Sequence, residues 1–270
     1  MILLRHGRST ANTSGVLAGR SSGVALDDRG REQAAELVQR LGGCLPRVTA
    51  VVRSPLQRCA ETVAPLLAAL TTGGHSVPEV VEDALAEVDY GEWTGRALKD
   101  LVSEPLWRTV QHQPSAAVFP GGEGLAQVQA RAVAAIRELD RRYGGPDGSG
   151  VWVACSHGDV IKSVIADAMG THLDSFQRIV VEPASVSIIR YGPSRPYVHT
   201  VNNTAALSVP TAPEKAPEPA STTDAGGAAP VADDAIIGGD TGTGDRPPPP
   251  TPAAAGDPDR KPAATTATPG

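Results

Sequence analysis

Aromatic residues are scarce in this 270-residue chain: phenylalanine, tryptophan and tyrosine together make up 3% of it. Their distribution is uneven, because residues 205–270 contain none of them yet carry 13 of the 24 prolines. A segment of that composition buries too little apolar surface to offset the entropy lost on ordering. The sequence therefore predicts a globular domain over residues 1–204 and a disordered tail over residues 205–270, rich in proline, alanine, threonine and glycine.

Cysteine is also rare, with three residues and no pair at CxxC spacing. This pattern argues against a disulfide framework and for a reducing compartment. The chain has no apolar stretch of the roughly 18 residues that a membrane span needs. Its first residues, MILLRHGRST, lack the basic segment and apolar core of a signal peptide. We therefore expect a cytoplasmic protein with no membrane partner.

Net charge is nearly absent from the predicted domain. The whole chain has a formal charge of −6, of which residues 205–270 contribute −5 through nine acidic and four basic residues. A near-neutral domain lacks the positive surface that nucleic-acid binding requires, so we expect no nucleic-acid partner. Several arginines nevertheless stand beside histidine or glycine, which predicts a local positive site.

Short apolar runs alternate with amphipathic stretches in the domain. Strands are predicted at residues 2–4, 50–52, 79–82, 151–155, 185–191 and 197–201. Helices are predicted at residues 28–41, 124–143 and 159–168, and at 96–113, where Pro105 interrupts the helix. Such strand–helix alternation predicts an α/β fold with a mainly parallel sheet.

The helix after residues 50–52 has distinct local signals. Ser54 as N-cap and Pro55 at the first helical position predict its start, and Pro65 predicts a kink or a restart. Arg58 and Glu61 stand three residues apart, so we expect them to form a surface ion pair.

Polar residues follow three of the predicted strands. Arg5 and His6 follow the first, Arg53 follows the second, and Ser156 and His157 follow residues 151–155. Ligands of open α/β sheets bind beyond the carboxyl ends of the strands. We therefore expect these side chains to meet at one edge of the sheet.

Two arginines and two histidines in one place suit a phosphoryl group. Arg5 and Arg53 offer rigid forks of donors that match phosphate oxygens. His6 offers a neutral imidazole nitrogen for attack on phosphorus, and His157 offers a further donor.

A leaving oxygen needs a proton, and three carboxyl groups are candidates to supply it. Glu87 is the first choice, with Asp89 and Glu92 as rivals in the same stretch. A carboxyl group near a dianionic phosphate has a raised pKa, which suits a general acid.

The segments around these residues resemble five motifs of the histidine phosphatase superfamily, in its phosphoglycerate-mutase-like branch. They are LLRHGRSTANT near the start, VVRSPLQRCAET at 51–62, LAEVDYGEWTG at 85–95, PGGE at 120–123 and CSHG at 155–158. They occur in family order over roughly residues 1–192, and this order makes the resemblance specific.

The resemblance implies a three-layer α/β/α sandwich and a phosphomonoester hydrolase that needs no metal and no cofactor. His6 would be the nucleophile and would become phosphohistidine. Arg5, Arg53 and His157 would complete the phosphate pocket. Glu87 would act first as the acid and then as the base that activates water.

The resemblance also implies three substrate-binding residues: Asn12, Arg20 and Ser156. Position 8 is arginine where many relatives carry glutamate, which adds positive charge at the predicted pocket rim. Only 69 residues separate Glu87 from His157, fewer than phosphoglycerate mutases use to shield their phosphoenzyme from water. This favours a phosphatase over a mutase.

Two other functions stay open at this point. One is a phosphomutase of the same superfamily, and the other is a weakly catalytic protein that binds a phosphorylated ligand. A dinucleotide-dependent oxidoreductase is disfavoured because no GxGxxG follows the first strand. We expect a small phosphorylated metabolite as the substrate, and a homodimer is an open alternative to a monomer.

Overall fold

The protein is described here by a computed structural model that covers residues 1–145 and 150–204; the predicted tail over 205–270 lies outside the described residues. In these described parts of the chain, one sheet has six strands: β1 (Ile2–Arg5), β2 (Val48–Arg53), β3 (Glu79–Val81), β4 (Val151–Ser156), β5 (Val186–Tyr191) and β6 (Pro196–Asn203). Their spatial order is β3-β2-β4-β1-β5-β6. The first four strands in that order are mutually parallel, whereas β5 and β6 pair antiparallel. The predicted, mainly parallel α/β sheet is confirmed.

Within the described residues, seven α-helices connect or flank these strands: α1 (Thr10–Ser14), α2 (Asp28–Arg40), α3 (Gln57–Thr72), α4 (Leu98–Leu101), α5 (Pro105–His112), α6 (Leu125–Tyr143) and α7 (Gly158–Ala168). Short 3₁₀ turns lie at Leu45–Arg47, Asp83–Leu85, Gly91–Trp93, Pro114–Ala116 and Leu173–Arg178. No helix in the described parts of the chain is long and apolar enough to cross a membrane.

The core lies on both faces of the sheet. Side chains alternate along β1, so Ile2 and Leu4 pack into the cluster that contains residues of α2 and α3. Leu3 points the other way and packs into the cluster that contains residues of α6 and α7. The three-layer arrangement follows from this alternation, which buries both faces of a parallel sheet.

The start of α2 is fixed by Asp27. Its Oδ1 accepts a hydrogen bond from the backbone N of Gly30 at 2.7 Å. The other carboxylate oxygen pairs with Nε of Arg8 at 2.6 Å. The positive charge expected of Arg8 at the pocket rim is therefore balanced by Asp27.

The start of α3 differs from its prediction. The helix begins at Gln57 with Leu56 as N-cap in an extended conformation, and the hydroxyl of Ser54 contacts His157. The restart predicted at Pro65 is absent, because α3 runs through this residue as one helix, and a kink there stays a prediction. The flanking core side chains of α3 are fully buried, and their packing offsets the one helical hydrogen bond that proline removes.

The ends of β1, β2 and β4 meet at one edge of the sheet. Arg5 lies opposite Ser156 in the pairing of β1 with β4, and Arg53 lies opposite Cys155 in the pairing of β2 with β4. The predicted convergence of these three strand ends is confirmed.

Candidate active site

His6 is the first residue beyond β1, and its ring is buried. Its backbone N donates to the carbonyl of Ser156 at 3.0 Å, which ties it to the end of β4. Its Nδ1 lies 2.7 Å from the carbonyl oxygen of Gly7. A carbonyl only accepts, so the ring hydrogen is on Nδ1 and Nε2 retains its lone pair.

Burial is the main reason why the pKa of His6 lies well below its usual value. The positive charges of Arg58 and Arg5 lower the pKa further. The imidazole is therefore neutral at physiological pH, as a nitrogen nucleophile must be.

Arg58 contacts the candidate nucleophile directly. Its Nε lies 3.3 Å from Nε2 of His6, and its Nη2 donates to the carbonyl of Gly19 at 2.9 Å. Only 2% of this residue is exposed, so the predicted surface ion pair with Glu61 is wrong. Glu61 instead accepts a hydrogen bond from the backbone N of Leu26 at 2.7 Å.

The rotation of α3 explains the placement of Arg58. Thr62 lies one turn further along the same face, and its hydroxyl accepts a hydrogen bond from the backbone N of Gly7 at 2.9 Å. This face of α3 is therefore packed against the loop after β1. The sequence signal for it was the spacing of Arg58, Cys59 and Thr62 on one helical face, all of them buried.

The side chain of Arg53 contacts Glu79 and Ser54. Its Nε pairs with Oε1 of Glu79 on the neighbouring strand β3 at 2.5 Å, and its Nη1 donates to the carbonyl of Ser54 at 3.2 Å. The side chain at the end of β2 thus pairs with β3, and the expectation that Arg53 completes the phosphate pocket stays a prediction. The second guanidinium at the nucleophile comes from Arg58, five residues later.

Arg5 is fully buried between the sheet and the segment before β5. Its Nη1 donates to the carbonyl of Val181 at 2.7 Å, and its backbone N donates to the carbonyl of Ser185 at 3.1 Å. Its charge lowers the pKa of both His6 and His157, which places it close to both rings.

His157 follows β4 and caps α7, with no exposed surface. Its ring centroid lies 5.1 Å from that of His6. Its Nε2 lies 2.7 Å from Oγ of Ser54 and 3.6 Å from Sγ of Cys59. Its Nδ1 lies 4.0 Å from Oε2 of Glu87. The two histidines and this carboxyl group thus surround one small volume.

Burial lowers the pKa of His157 well below its usual value, and the charge of Arg58 adds to the effect. The ring is therefore neutral near pH 7. Because α7 begins directly after His157, the positive end of its dipole lies beside the same volume, where an anion is stabilised.

Glu87 is the buried carboxyl group of its segment. Its Oε1 accepts a hydrogen bond from the backbone N of Val88 at 2.9 Å. Burial raises its pKa to about 7, helped by the negative charge of Asp159 and opposed by the charge of Arg58. A carboxyl group with this pKa can both donate and accept a proton near neutrality.

Asp89 and Glu92, the other two candidates for the general acid, lie in different surroundings from Glu87. Asp89 accepts a hydrogen bond from the backbone N of Gly91 at 3.0 Å, and Glu92 is exposed to solvent. Neither shares the contact that Glu87 makes with His157.

Two arginines hold the backbone at Glu87. Its carbonyl accepts hydrogen bonds from Nε of Arg20 at 2.8 Å and from Nη2 of Arg131 at 3.2 Å. Both arginines also pair with Glu123, which accepts a further bond from the backbone N of Asp89 at 3.0 Å. Arg20, predicted to bind substrate, therefore contacts the segment that carries the acid, with 38% of its side chain exposed.

The other two predicted substrate-binding residues make local contacts. Asn12 lies in α1, where its Oδ1 accepts hydrogen bonds from the backbone N and the hydroxyl of Ser9 at 3.0 and 2.8 Å. Ser156 is buried, and its hydroxyl donates to the carbonyl of Leu85 at 2.7 Å. Substrate binding by Asn12, Arg20 and Ser156 stays a prediction.

Sequence reasoning missed a buried polar group behind Glu87. Asp159 has no exposed surface, and its Oδ2 accepts a hydrogen bond from the hydroxyl of Tyr90 at 2.8 Å. Nζ of Lys162 lies 3.8 Å from Oδ1 of Asp159. The only sequence signal was the position of Asp159, two residues after His157 in the first turn of a helix.

No group of three or more histidine, cysteine, aspartate or glutamate side chains placed to hold a metal ion occurs within residues 1–145 and 150–204. Positive charge at the described site comes from the guanidinium groups of Arg5 and Arg58.

A sequence profile of the histidine phosphatase superfamily (branch 1) matches residues 1–204. The chain belongs to this superfamily. The family indicated by the five motifs is thereby confirmed. The match spans the same residues as the domain predicted from composition.

Two curated proteins and one solved structure illustrate what this histidine phosphatase resembles. Phosphoserine phosphatase 1 of Hydrogenobacter thermophilus is 27% identical over 213 residues, covering 77% of this chain and 93% of that protein. Bifunctional protein Rv2228c of Mycobacterium tuberculosis is 31% identical over 212 residues, covering 77% of this chain but only 54% of that protein. This chain thus spans about half the length of that relative.

The solved structure is that of mycobacterial glucosyl-3-phosphoglycerate phosphatase Rv2419c, in a complex with VO3. Its TM-score is 0.65 at 23% identity, and the match covers 75% of this chain and 98% of that chain. At this identity the likeness shows that the two proteins share a fold.

Proposed function

We propose that this protein hydrolyses a phosphate monoester through a phosphohistidine on His6. The observation that carries the proposal is the environment of His6. Its ring is neutral, its hydrogen is held on Nδ1 by Gly7, and its Nε2 faces the guanidinium of Arg58. A phosphoryl group placed at Nε2 would meet a nucleophile and a positive charge together.

The first chemical step transfers the phosphoryl group to the protein. Nε2 of His6 attacks phosphorus, and the bond from phosphorus to the ester oxygen breaks. Glu87 donates its proton to the leaving oxygen, so the product is a neutral alcohol. The charges of Arg5 and Arg58 stabilise the equatorial phosphoryl oxygens in the transition state.

The second step releases phosphate. Glu87, now ionised, takes a proton from a water molecule whose oxygen attacks phosphorus. The bond from phosphorus to Nε2 breaks, and inorganic phosphate leaves with both histidine and carboxyl group restored. One group serves as acid and then as base because its pKa lies near neutrality.

The relatives support a small phosphorylated metabolite as substrate. Their names include a phosphoserine phosphatase and a glucosyl-3-phosphoglycerate phosphatase, both acting on small phosphate esters. We propose that this protein likewise acts on such a metabolite in the cytoplasm, without a nucleic-acid partner. A homodimer stays a prediction.

The test is release of inorganic phosphate from an aryl phosphate, in the presence of a chelator, by the wild type and by His6→Ala. We expect chelator-resistant release that the substitution abolishes. His199→Ala is the matched control, since His199 is an exposed histidine on the edge strand β6, away from the site. Activity that survives in His6→Ala would refute the mechanism.

Trapping distinguishes hydrolysis from the alternatives. Brief exposure to a ³²P-labelled substrate should label the wild type on a residue whose phosphate is stable in alkali and lost in acid, as phosphohistidine is. Faster transfer of the label to a second phosphate acceptor than to water would indicate a phosphomutase. Binding without labelling would indicate a protein that only holds its ligand.

A further inference from the structure

The two nitrogens of the His157 ring have different surroundings. Nε2 is 2.7 Å from the hydroxyl oxygen of Ser54. Nδ1 is buried and has no hydrogen-bond partner among the described residues, although Oε2 of Glu87 lies 4.0 Å away. A buried ring nitrogen without a partner is costly in a resting protein, which points to a partner that arrives with the substrate.

The hydrogen-bond needs of Ser54 decide which nitrogen carries the hydrogen. Ser54 is fully buried, and its Oγ already accepts a hydrogen bond from the backbone N of Leu56 at 3.3 Å. Its own hydrogen needs an acceptor, and the only one that the described structure offers is Nε2 of His157. Nε2 must then hold its lone pair, so the hydrogen of the neutral ring is on Nδ1.

The thiol of Cys59 does not compete for this role. Its Sγ also approaches Nε2, at 3.6 Å, but it is placed to donate to the carbonyl of Ser156 at 3.7 Å. A thiol is a weak donor, whereas the hydroxyl contact is short. Ser54 is therefore the group that fixes the ring.

We propose that Ser54 is a positioning residue that holds His157 as its Nδ1–H tautomer, so that this N–H donates to an oxygen of the phosphoryl group at Nε2 of His6. The two site histidines then play opposite roles toward the substrate: one offers a lone pair and the other a hydrogen-bond donor. The Nδ1–H of His6 donates to the carbonyl of Gly7, so His6 presents the lone pair of Nε2. The hydroxyl of Ser54 donates to Nε2 of His157, so His157 presents its Nδ1–H.

The tautomer itself depends only on the resting structure, whereas its catalytic use rests on the proposed function. The neutral Nδ1–H tautomer donates a hydrogen bond without placing a positive charge on His157 beside Arg58. Burial already disfavours that charge, because it lowers the pKa of His157. A donor to a transferring oxygen acts mainly in the transition state, so its loss should lower kcat more than it raises KM.

Nitrogen and carbon NMR of the protein labelled in histidine tests the tautomer directly. The chain has six histidines, and His157→Gln identifies the relevant signals by their loss. We expect His157 to show a protonated Nδ1 and a bare Nε2 in the wild type. A wild-type ring that carries its hydrogen on Nε2 would overturn the proposal, whether or not the protein is active.

Substitutions then test the role of Ser54. Ser54→Ala should give mixed tautomers at His157 and lower kcat by a factor on the order of 100, the usual cost of one well-placed donor. Ser54→Thr retains the hydroxyl and should restore the tautomer. Cys59→Ala, which removes the other contact to Nε2, should change neither the NMR signature nor kcat.

The two hypotheses fail separately. An unchanged tautomer and unchanged kcat in Ser54→Ala would refute the role of Ser54 while the phosphatase activity stands. A wild type with the expected tautomer but no hydrolysis of any phosphate ester would refute the proposed function and leave the assignment of the ring intact.

Discussion

Burial sets the protonation states of the three groups that do the chemistry. It lowers the pKa of His6 and His157 and raises that of Glu87, in each case because a low-dielectric pocket disfavours charge. Near pH 7 the pocket therefore holds two neutral histidines and a carboxyl group that is about half protonated. A phosphate dianion entering it meets the guanidinium groups as the main charges.

Ionisation of Glu87 should lower the rate of hydrolysis at alkaline pH. The acid form is needed for the first step, and its pKa is about 7, so kcat/KM for an alkyl phosphate should fall as pH rises through that value. Glu87→Gln should reduce this rate by roughly 100-fold or more. The pre-steady-state burst with an aryl phosphate, whose leaving group needs no proton, should be much less affected. Equal losses with both substrates would contradict the role as acid.

Arg58 and Arg53 should differ sharply when each is replaced by alanine. Arg58→Ala removes the guanidinium at Nε2 of His6 and should lower kcat/KM by about 100- to 1000-fold. Arg53→Ala breaks a partly exposed ion pair with Glu79 and should cost at most about 1 kcal/mol of stability, with a small kinetic effect. Steady-state kinetics and urea unfolding of both variants provide the comparison. The reverse order of kinetic losses would support the role first predicted for Arg53.

At the scale of elements, the site is formed by strand ends and by two loops that pack closely against each other. The segment that carries Glu87 packs against the loop before α6. Gly91 has φ of +51°, and a Cβ there would lie 2.1 Å from the carbonyl oxygen of Pro120. A Cβ on Gly122 would lie 2.3 Å from the carbonyl oxygen of Asp89. Gly91 and Gly122, one from each motif, are therefore required by close backbone approach.

Gly91→Ala should separate these two loops and displace Glu87. Gly95→Ala is the matched control, because Gly95 also has positive φ, +83°, but has open space where a Cβ would be. The control should lose only the strain of the left-handed conformation, about 1–2 kcal/mol. Gly91→Ala should lose more stability in urea unfolding and also lose kcat. Similar stability and activity in the two variants would show that the two loops accommodate the added Cβ without displacing Glu87.

At the scale of the whole molecule, the site is built at the expense of stability. The folded protein keeps a carboxyl group in a buried pocket, where its pKa is about 7 instead of the usual 4.5. Below pH 4.5 the group is protonated whether the chain is folded or not. As pH rises from 4.5 toward 7, Glu87 ionises in the unfolded chain but stays mostly protonated in the folded one. This difference stabilises the unfolded chain relative to the folded protein.

Glu87→Gln should therefore stabilise the protein in a pH-dependent way. Its melting temperature relative to the wild type should rise between pH 4.5 and 7 and then level off. The full difference amounts to roughly 3 kcal/mol for a shift of this size. Thermal unfolding of both proteins across pH 4–8 gives the measurement. A difference that does not vary with pH would show that the carboxyl group is not held neutral by the fold.

The match of the superfamily profile ends at residue 204, where the tail predicted from composition begins. We propose that residues 1–204 form the complete catalytic domain. A protein truncated after Thr204 should keep its kcat and KM within about twofold, a change that corresponds to less than 0.5 kcal/mol. Loss of folding, seen by circular dichroism, would show that the domain extends further.

The sequence alone predicted the strands, the main helices, the family and the two histidines. These features depend on local patterns: apolar runs that end in polar residues, helical spacing, and short motifs that keep their order. Each of them is contained in a few neighbouring residues, and strand ends in a parallel sheet meet at one edge whatever the details of packing.

Only the tertiary structure decided which arginine stands at His6. Arg53 and Arg58 both lie in the second motif, and choosing between them requires the rotation of α3 against the loop after β1. The raised pKa of Glu87 and the partner of Ser54 likewise depend on groups about 70 and 100 residues away. Burial and charge act through space, so a local pattern cannot contain them.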